Sequence, residues 1–186
     1  MLWSLFANLG QVCIGVFLLY LNMRHGVSSG LTFLPFVLTE GIQILFLIPG
    51  TPWRKPLKAI NHGLPDLGFA LTSANFWMLW NAIYTPKLVD RLPLLGLPFY
   101  LAGLVLSLIS TIYLRPSFSV LPEYRVLVTG GPYKHISHPI YTGYVLMSLG
   151  QFLATLNSWM GAGWVLSTIL YVARARQENK VLFDHI

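Results

Sequence analysis

Six apolar runs, at about 3–22, 31–48, 67–84, 94–114, 139–156 and 159–173, alternate with short polar connections, and this alternation most restricts what the chain can fold into. A helix crossing a hydrocarbon core ~30 Å thick needs ~20 mostly apolar residues. The first four runs approach or exceed that length, and the last two are slightly shorter. The expected fold is therefore all-α: a polytopic integral membrane protein of about six transmembrane helices, forming a single membrane domain over residues 1–186. Only Leu156-Asn157-Ser158 separates the last two runs, so they are expected to form a C-terminal helical hairpin that spans or re-enters the bilayer.

Composition agrees with lipid as the partner. Hydrophobic residues make up 55% of the chain and charged residues 10%, against about 25% charged in an ordinary soluble domain. The single cysteine, Cys13, lies in the first run, which excludes an intrachain disulfide framework. The net charge of +6 does not indicate nucleic acid, because the basic residues flank apolar runs, where anionic headgroups attract them. With six crossings, one side collects Arg54, Lys55, Lys58, Arg115, Arg125, Lys134, Arg174, Arg176 and Lys180, leaving Arg24, Lys87 and Arg91 on the other. The positive-inside rule then puts both termini and the 115–138 loop in the cytoplasm. The first run lacks a preceding basic region and a cleavage site, so it is expected to be retained.

One polar, turn-rich segment stands out between two apolar runs: Gly130-Gly131-Pro132-Tyr133-Lys134-His135-Ile136-Ser137-His138-Pro139-Ile140-Tyr141-Thr142-Gly143. Pro139 suits the first turn of a helix, with Ser137 or His138 as its cap, and the free N–H groups of such a start attract an anion. The segment Arg174 to Lys180 follows the last run, where Arg174 and Glu178, spaced i,i+4, either pair or face a ligand together. Glu40, with Gln43 one turn on, is costly inside an apolar run; it either lines a cavity or pairs with Asn75 or Asn81. His135 and His138 are the only histidines close enough to suggest a metal, and without a third ligand nearby no metal is expected. The tryptophans are read as interfacial or packing residues.

Across residues 114–182, Ser117-Phe118-Ser119, Pro122, Leu127-Val128-Thr129, Gly131-Pro132-Tyr133, His138-Pro139, Tyr141-Thr142-Gly143 and then Arg174, Arg176 and Glu178 resemble the isoprenylcysteine carboxyl methyltransferase family. The resemblance implies a membrane enzyme that uses S-adenosylmethionine, with residues 94–186 as its methyltransferase-like core and residues 1–93 as membrane helices. It implies a cofactor-binding set in which His138, Tyr141 and Glu178 make the contacts and Gly131, Pro132, Tyr133 and Pro139 shape the loop. Arg174 would hold an acceptor carboxylate through a forked pair of hydrogen bonds, making Arg174 and Glu178 the catalytic pair. The acceptor would be a lipophilic, prenylcysteine-like carboxylate in the bilayer. Ser137 and Asn179 depart from the pattern, standing where that family carries an arginine and a second glutamate. Other readings are a phospholipid or thiol methyltransferase, a nicotinamide-dependent reductase of the steroid-reductase type, and a non-catalytic membrane scaffold.

Overall fold

The computed structural model describes residues 2–26, 62–84, 95–114, 117–121 and 127–183. Five α-helices occur there: α1 (Leu2–Gly26), α2 (Leu64–Tyr84), α3 (Leu97–Leu114), α4 (Pro139–Thr155) and α5 (Ser158–Phe183), with a 3-10 turn at Gly131–Lys134 before α4. Glu40, Gln43 and the 31–48 run lie outside the described residues.

Small residues decide how α3 meets α4. A Cβ on Gly103 would stand 2.5 Å from the Gly143 carbonyl oxygen, and one on Gly96 would stand 2.2 Å from that of Gly150. Gly96 and Gly103 are one heptad apart, as are Gly143 and Gly150, and the opposed order of the contacts makes the pair antiparallel. Bare backbone at these points lets the helices approach closely, which is how helices associate where burial from water gives no drive. Ser107 and Thr111, buried in α3, return their hydroxyls to the carbonyls of Leu104 (2.9 Å) and Ser107 (2.8 Å), so they enter the interface already satisfied.

Elsewhere the helices are joined by amides and aromatic rings. Gln11 of α1 and Asn75 of α2 exchange two side-chain hydrogen bonds, of 3.1 and 2.7 Å. Ala7, Ala70, Val120 and Leu121 form one apolar cluster beside them, and Leu18, Trp77, Met78 and Met160 form another further along. Trp80 stacks on Trp159 with centroids 4.3 Å apart, and a Cβ on Gly163 would meet the Trp80 indole, so α5 lies tightly against α2. Leu156 turns the chain between α4 and α5 in the left-handed region (φ 47), and Asn157 caps α5 by accepting the Trp159 N–H at 2.8 Å.

This fold corrects the six-span reading. Among the described residues, one helix, Leu97–Leu114, is long and apolar enough to cross a membrane, with mean hydropathy 1.9. Among the described residues of α1, Phe6–Leu21 forms a shorter apolar stretch. The 67–84 run was overread because Ser73, Asn75 and Asn81, buried polar residues of α2, lower its hydropathy. The expected transmembrane hairpin at the C-terminus is corrected for a similar reason. α4 has 17 residues, and α5 carries its helix straight through the polar stretch Arg174 to Lys180. The multi-pass topology with cytoplasmic termini and a cytoplasmic cofactor site rested on six crossings and falls with them, so the distribution of basic residues assigns no side.

Candidate active site

The start of α4 and the polar end of α5 meet. His138 occupies the N-cap position of α4, but its ring makes no capping hydrogen bond. It reaches across to α5 instead, with Nδ1 3.4 Å from Glu178 Oε2 and Nε2 2.9 Å from Asn179 Oδ1. Both ring nitrogens thus face acceptors, which favours the imidazolium. The Tyr141 hydroxyl donates to Glu178 Oε1, and Arg174 Nε donates to the same oxygen at 3.3 Å. The Tyr141 ring is stacked between neighbours, 5.7 Å from His138 and 5.8 Å from Tyr171 centroid to centroid, with the Arg174 guanidinium 5.7 Å from its own centroid.

The four groups set one another's protonation. The hydrogen bond to Glu178 raises the His138 pKa above its usual value, against the lowering effect of burial, and Asn179 adds to the rise. Burial works to raise the Glu178 pKa, but the His138 hydrogen bond and the Arg174 charge prevail and hold its carboxyl below the usual range. Burial pushes the Tyr141 phenol well up, so it stays protonated and donates. Burial also pushes Tyr133 up, with the Glu178 charge adding to it.

Arg174 is 6% exposed and ties three parts of the chain together. Nη1 donates to the Ala70 carbonyl (3.0 Å) and to Ser73 Oγ (3.2 Å), both on α2, and Nη2 donates to the Val120 carbonyl at 2.7 Å. With Nε on Glu178, four of the five N–H bonds of the guanidinium are engaged. A fork of two parallel donors for an acceptor carboxylate is therefore already committed within the protein.

These residues open onto a cavity of about 390 Å³, within the range of small-molecule sites. His138, Tyr141, Arg174, Glu178 and Asn179 line one part of it, while Leu114, Phe118, Leu121, Leu127 and Val128 provide apolar wall. Tyr133 also lines it, positioned by the 3-10 turn. That turn needs Gly131 twice over: its φ is +58, and a Cβ there would stand 2.7 Å from the Tyr113 ring. Pro139 is buried at the first position of α4 and shapes the approach of His138.

Sequence reasoning placed Tyr133, His138, Tyr141, Arg174 and Glu178 near one another, and the fold brings all five to this cavity. It missed Tyr144, Tyr171 and Gln11, which also line the wall. Gln11 had a legible signal: with Asn8 at i−3, it puts carboxamides on one face of an apolar helix. Asn75, considered as a partner for Glu40, bonds Gln11 among the described residues.

The arrangement is an all-helical fold holding an ionised cluster at the edge of a largely apolar cavity. A family model for phospholipid methyltransferase matches residues 92–185, and the chain belongs to that family. No curated protein and no solved structure shows significant similarity. The family is one of membrane-associated methyltransferases that use S-adenosylmethionine. This corrects the resemblance to isoprenylcysteine carboxyl methyltransferases. The residues that carried it form turns and the ionised cluster, and Ser137 and Asn179 are where the chain departs from that family's pattern.

Proposed function

We propose that the chain transfers a methyl group from S-adenosylmethionine to the amine headgroup of a phospholipid, with the donor held at the His138–Glu178 end of the cavity. The observation that carries this reading is the family match over residues 92–185, which contains the whole ionised cluster.

The donor set suits the cofactor. Among the described residues, Oε2 of Glu178 has only the 3.4 Å contact to His138, so it can accept from an ammonium group. The first turn of α4, left uncapped by the His138 side chain, suits a carboxylate. Tyr133, Tyr144 and Tyr171 offer aromatic surface to an adenosine or a sulfonium. When bound, the cofactor supplies a methyl group on a cationic sulfur, and in-line displacement needs alignment and exclusion of water rather than a protein nucleophile. Arg174 acts as a positioning residue, holding Glu178 against α2 and the Val120 segment.

The test is transfer of labelled methyl from S-adenosylmethionine by the full chain in lipid nanodiscs, with phosphatidylethanolamine, a prenylcysteine analogue and a small thiol offered in parallel. Label in N-methylated phospholipid is the expected result. Label only in the thiol or the prenylcysteine overturns the acceptor. Failure to bind the donor or its demethylated product overturns the reading entirely.

A further inference from the structure

The family match begins at residue 92, yet the cavity extends beyond the matched half. α1 contributes Gln11 to its wall and α2 contributes Ala74. Gln11 is 5% exposed, and a carboxamide buried in an apolar helix is costly unless hydrogen-bonded. Asn75 meets that need: Gln11 Nε2 donates to Asn75 Oδ1 at 3.1 Å, and Asn75 Nδ2 donates to Gln11 Oε1 at 2.7 Å and to the Leu71 carbonyl at 2.8 Å. Among the described residues, the pairing fixes the carboxamide plane while using only one of its two N–H bonds and one of its two lone pairs. A helix-joining amide has no need to face a cavity, but this one does.

The surroundings indicate what such a group would meet. Arg174, anchored on Ala70 and Ser73 of α2, also lines the cavity as a buried cation with one Nη2 N–H uncommitted among the described residues, and much of the remaining wall is apolar. A cation and a neutral N–H donor beside hydrocarbon match a phosphodiester attached to acyl chains, since the anionic oxygens accept and the chains lie on apolar surface. The Glu178 end suits the opposite charge.

We propose that Gln11, presented by its amide pair with Asn75, is an acceptor-specificity residue whose remaining N–H donates to the phosphodiester of the lipid substrate. The assignment rests on the phospholipid reading above. It makes α1, outside the matched half, part of the acceptor site.

The experiment uses the full chain in nanodiscs and reads three quantities: affinity for spin-labelled phosphatidylethanolamine, thermal shift with the demethylated cofactor, and the KM and kcat for the lipid. Gln11→Leu with Asn75→Leu removes both amides together and leaves neither orphaned, which tends to preserve stability. Lipid Kd and KM are expected to rise about tenfold, with cofactor shift and saturated kcat within about twofold, the scale of one lost hydrogen bond. Gln11→Glu still accepts from Asn75 but sets a carboxylate toward the phosphodiester. It is expected to weaken lipid binding further than the double variant, and it supplies the result if the double variant does not fold. Unchanged lipid affinity in a folded variant overturns the proposal, leaving the amides as a helix-to-helix contact only. A parallel loss of cofactor binding likewise overturns it. A wild-type chain that binds cofactor but neither binds nor methylates phospholipid removes the phospholipid reading itself, and the proposal with it.

Discussion

Oε2 of Glu178 lies 3.4 Å from Nδ1 of His138, joining the polar end of one helix to the first turn of another. Because Oε1 of the same carboxylate already accepts from Tyr141 and Arg174, Glu178 is the shared anion of three side chains. Glu178→Gln keeps the shape and removes the charge. It is expected to lower affinity for S-adenosylmethionine by at least about tenfold, measured by calorimetry. Loss of charge-assisted hydrogen bonds should also destabilise the fold by about 1.5–3 kcal/mol, seen as a Tm several degrees lower. Full cofactor affinity in the variant would exclude Glu178 from the donor site.

The His138–Glu178 pair makes stability depend on pH in a defined direction. The folded pKa of His138 is raised, chiefly by its hydrogen bond to Glu178. Its contribution is therefore fully present below the unfolded value of about 6.5 and is lost as pH rises through the folded value. The Glu178 pKa is lowered, so its contribution is present above the unfolded value of about 4.5 and is lost as pH falls through the folded one. Stability from this pair should therefore be full between the two unfolded values, about 4.5 and about 6.5, and fall away on either side through the folded values, and His138→Gln should remove its alkaline limb. Thermal unfolding across pH is the measurement, and an unchanged alkaline limb in the variant would refute the assignment.

Asn179 gives an independent handle on the same imidazole. Its Oδ1 faces Nε2 at 2.9 Å and adds to the rise in the His138 pKa. Asn179→Asp places a charge there and should raise the histidine titration midpoint further, while Asn179→Ala should lower it. Nuclear magnetic resonance titration of labelled histidine reads both. Identical midpoints in the two variants would mean that the contact does not persist in solution.

The sequence revealed the two ends of this site unequally well. His138, Pro139 and Tyr141 were legible because a proline-started helix has local turn chemistry, and Arg174 with Glu178 because i,i+4 spacing is local too. The partners Ala70, Ser73 and Val120 were not legible, since Arg174 meets them across separations of 54 to 104 residues that no local pattern encodes. The partnering of Gln11 with Asn75 was not legible either, since it joins α1 to α2 across 64 residues. The family was misassigned because the motif residues that carried the resemblance form turns and the ionised cluster, which the stretch that matches the phospholipid methyltransferase family also contains.

Arg174 should prove more important to folding than to chemistry. Its guanidinium serves two carbonyls, a hydroxyl and a carboxylate in fixed directions, which the point charge of lysine does not reproduce. Arg174→Ala takes a donor from each of those acceptors and leaves His138 as the remaining cation beside Glu178 among the described residues, at an expected cost of up to about 3–5 kcal/mol for a broken buried pair. Arg174→Lys should fall between the two. Thermal unfolding in detergent ranks the variants, and an alanine variant as stable as wild type would show that the clamp contributes nothing.

The contrast between two glycines tests whether the close approach of α3 and α4 is what orders the site. At Gly103 an added methyl would meet the Gly143 carbonyl oxygen at 2.5 Å and the Met147 amide nitrogen at 2.6 Å, both backbone atoms that yield only if the helices separate. At Gly68, in α2, it would meet nothing within 4 Å. Gly103→Ala should therefore destabilise by about 1–3 kcal/mol through overpacking. Because α4 carries His138 at its start, the same change should weaken cofactor binding without altering any group in the cavity. Gly68→Ala should stabilise by about 0.4–1 kcal/mol, since alanine restricts the unfolded chain and suits a helix. Thermal unfolding and cofactor titration of both variants decide the matter. A Gly103→Ala protein with wild-type stability would show that the interface tolerates a wider spacing, and that the short backbone contacts do not set the position of α4.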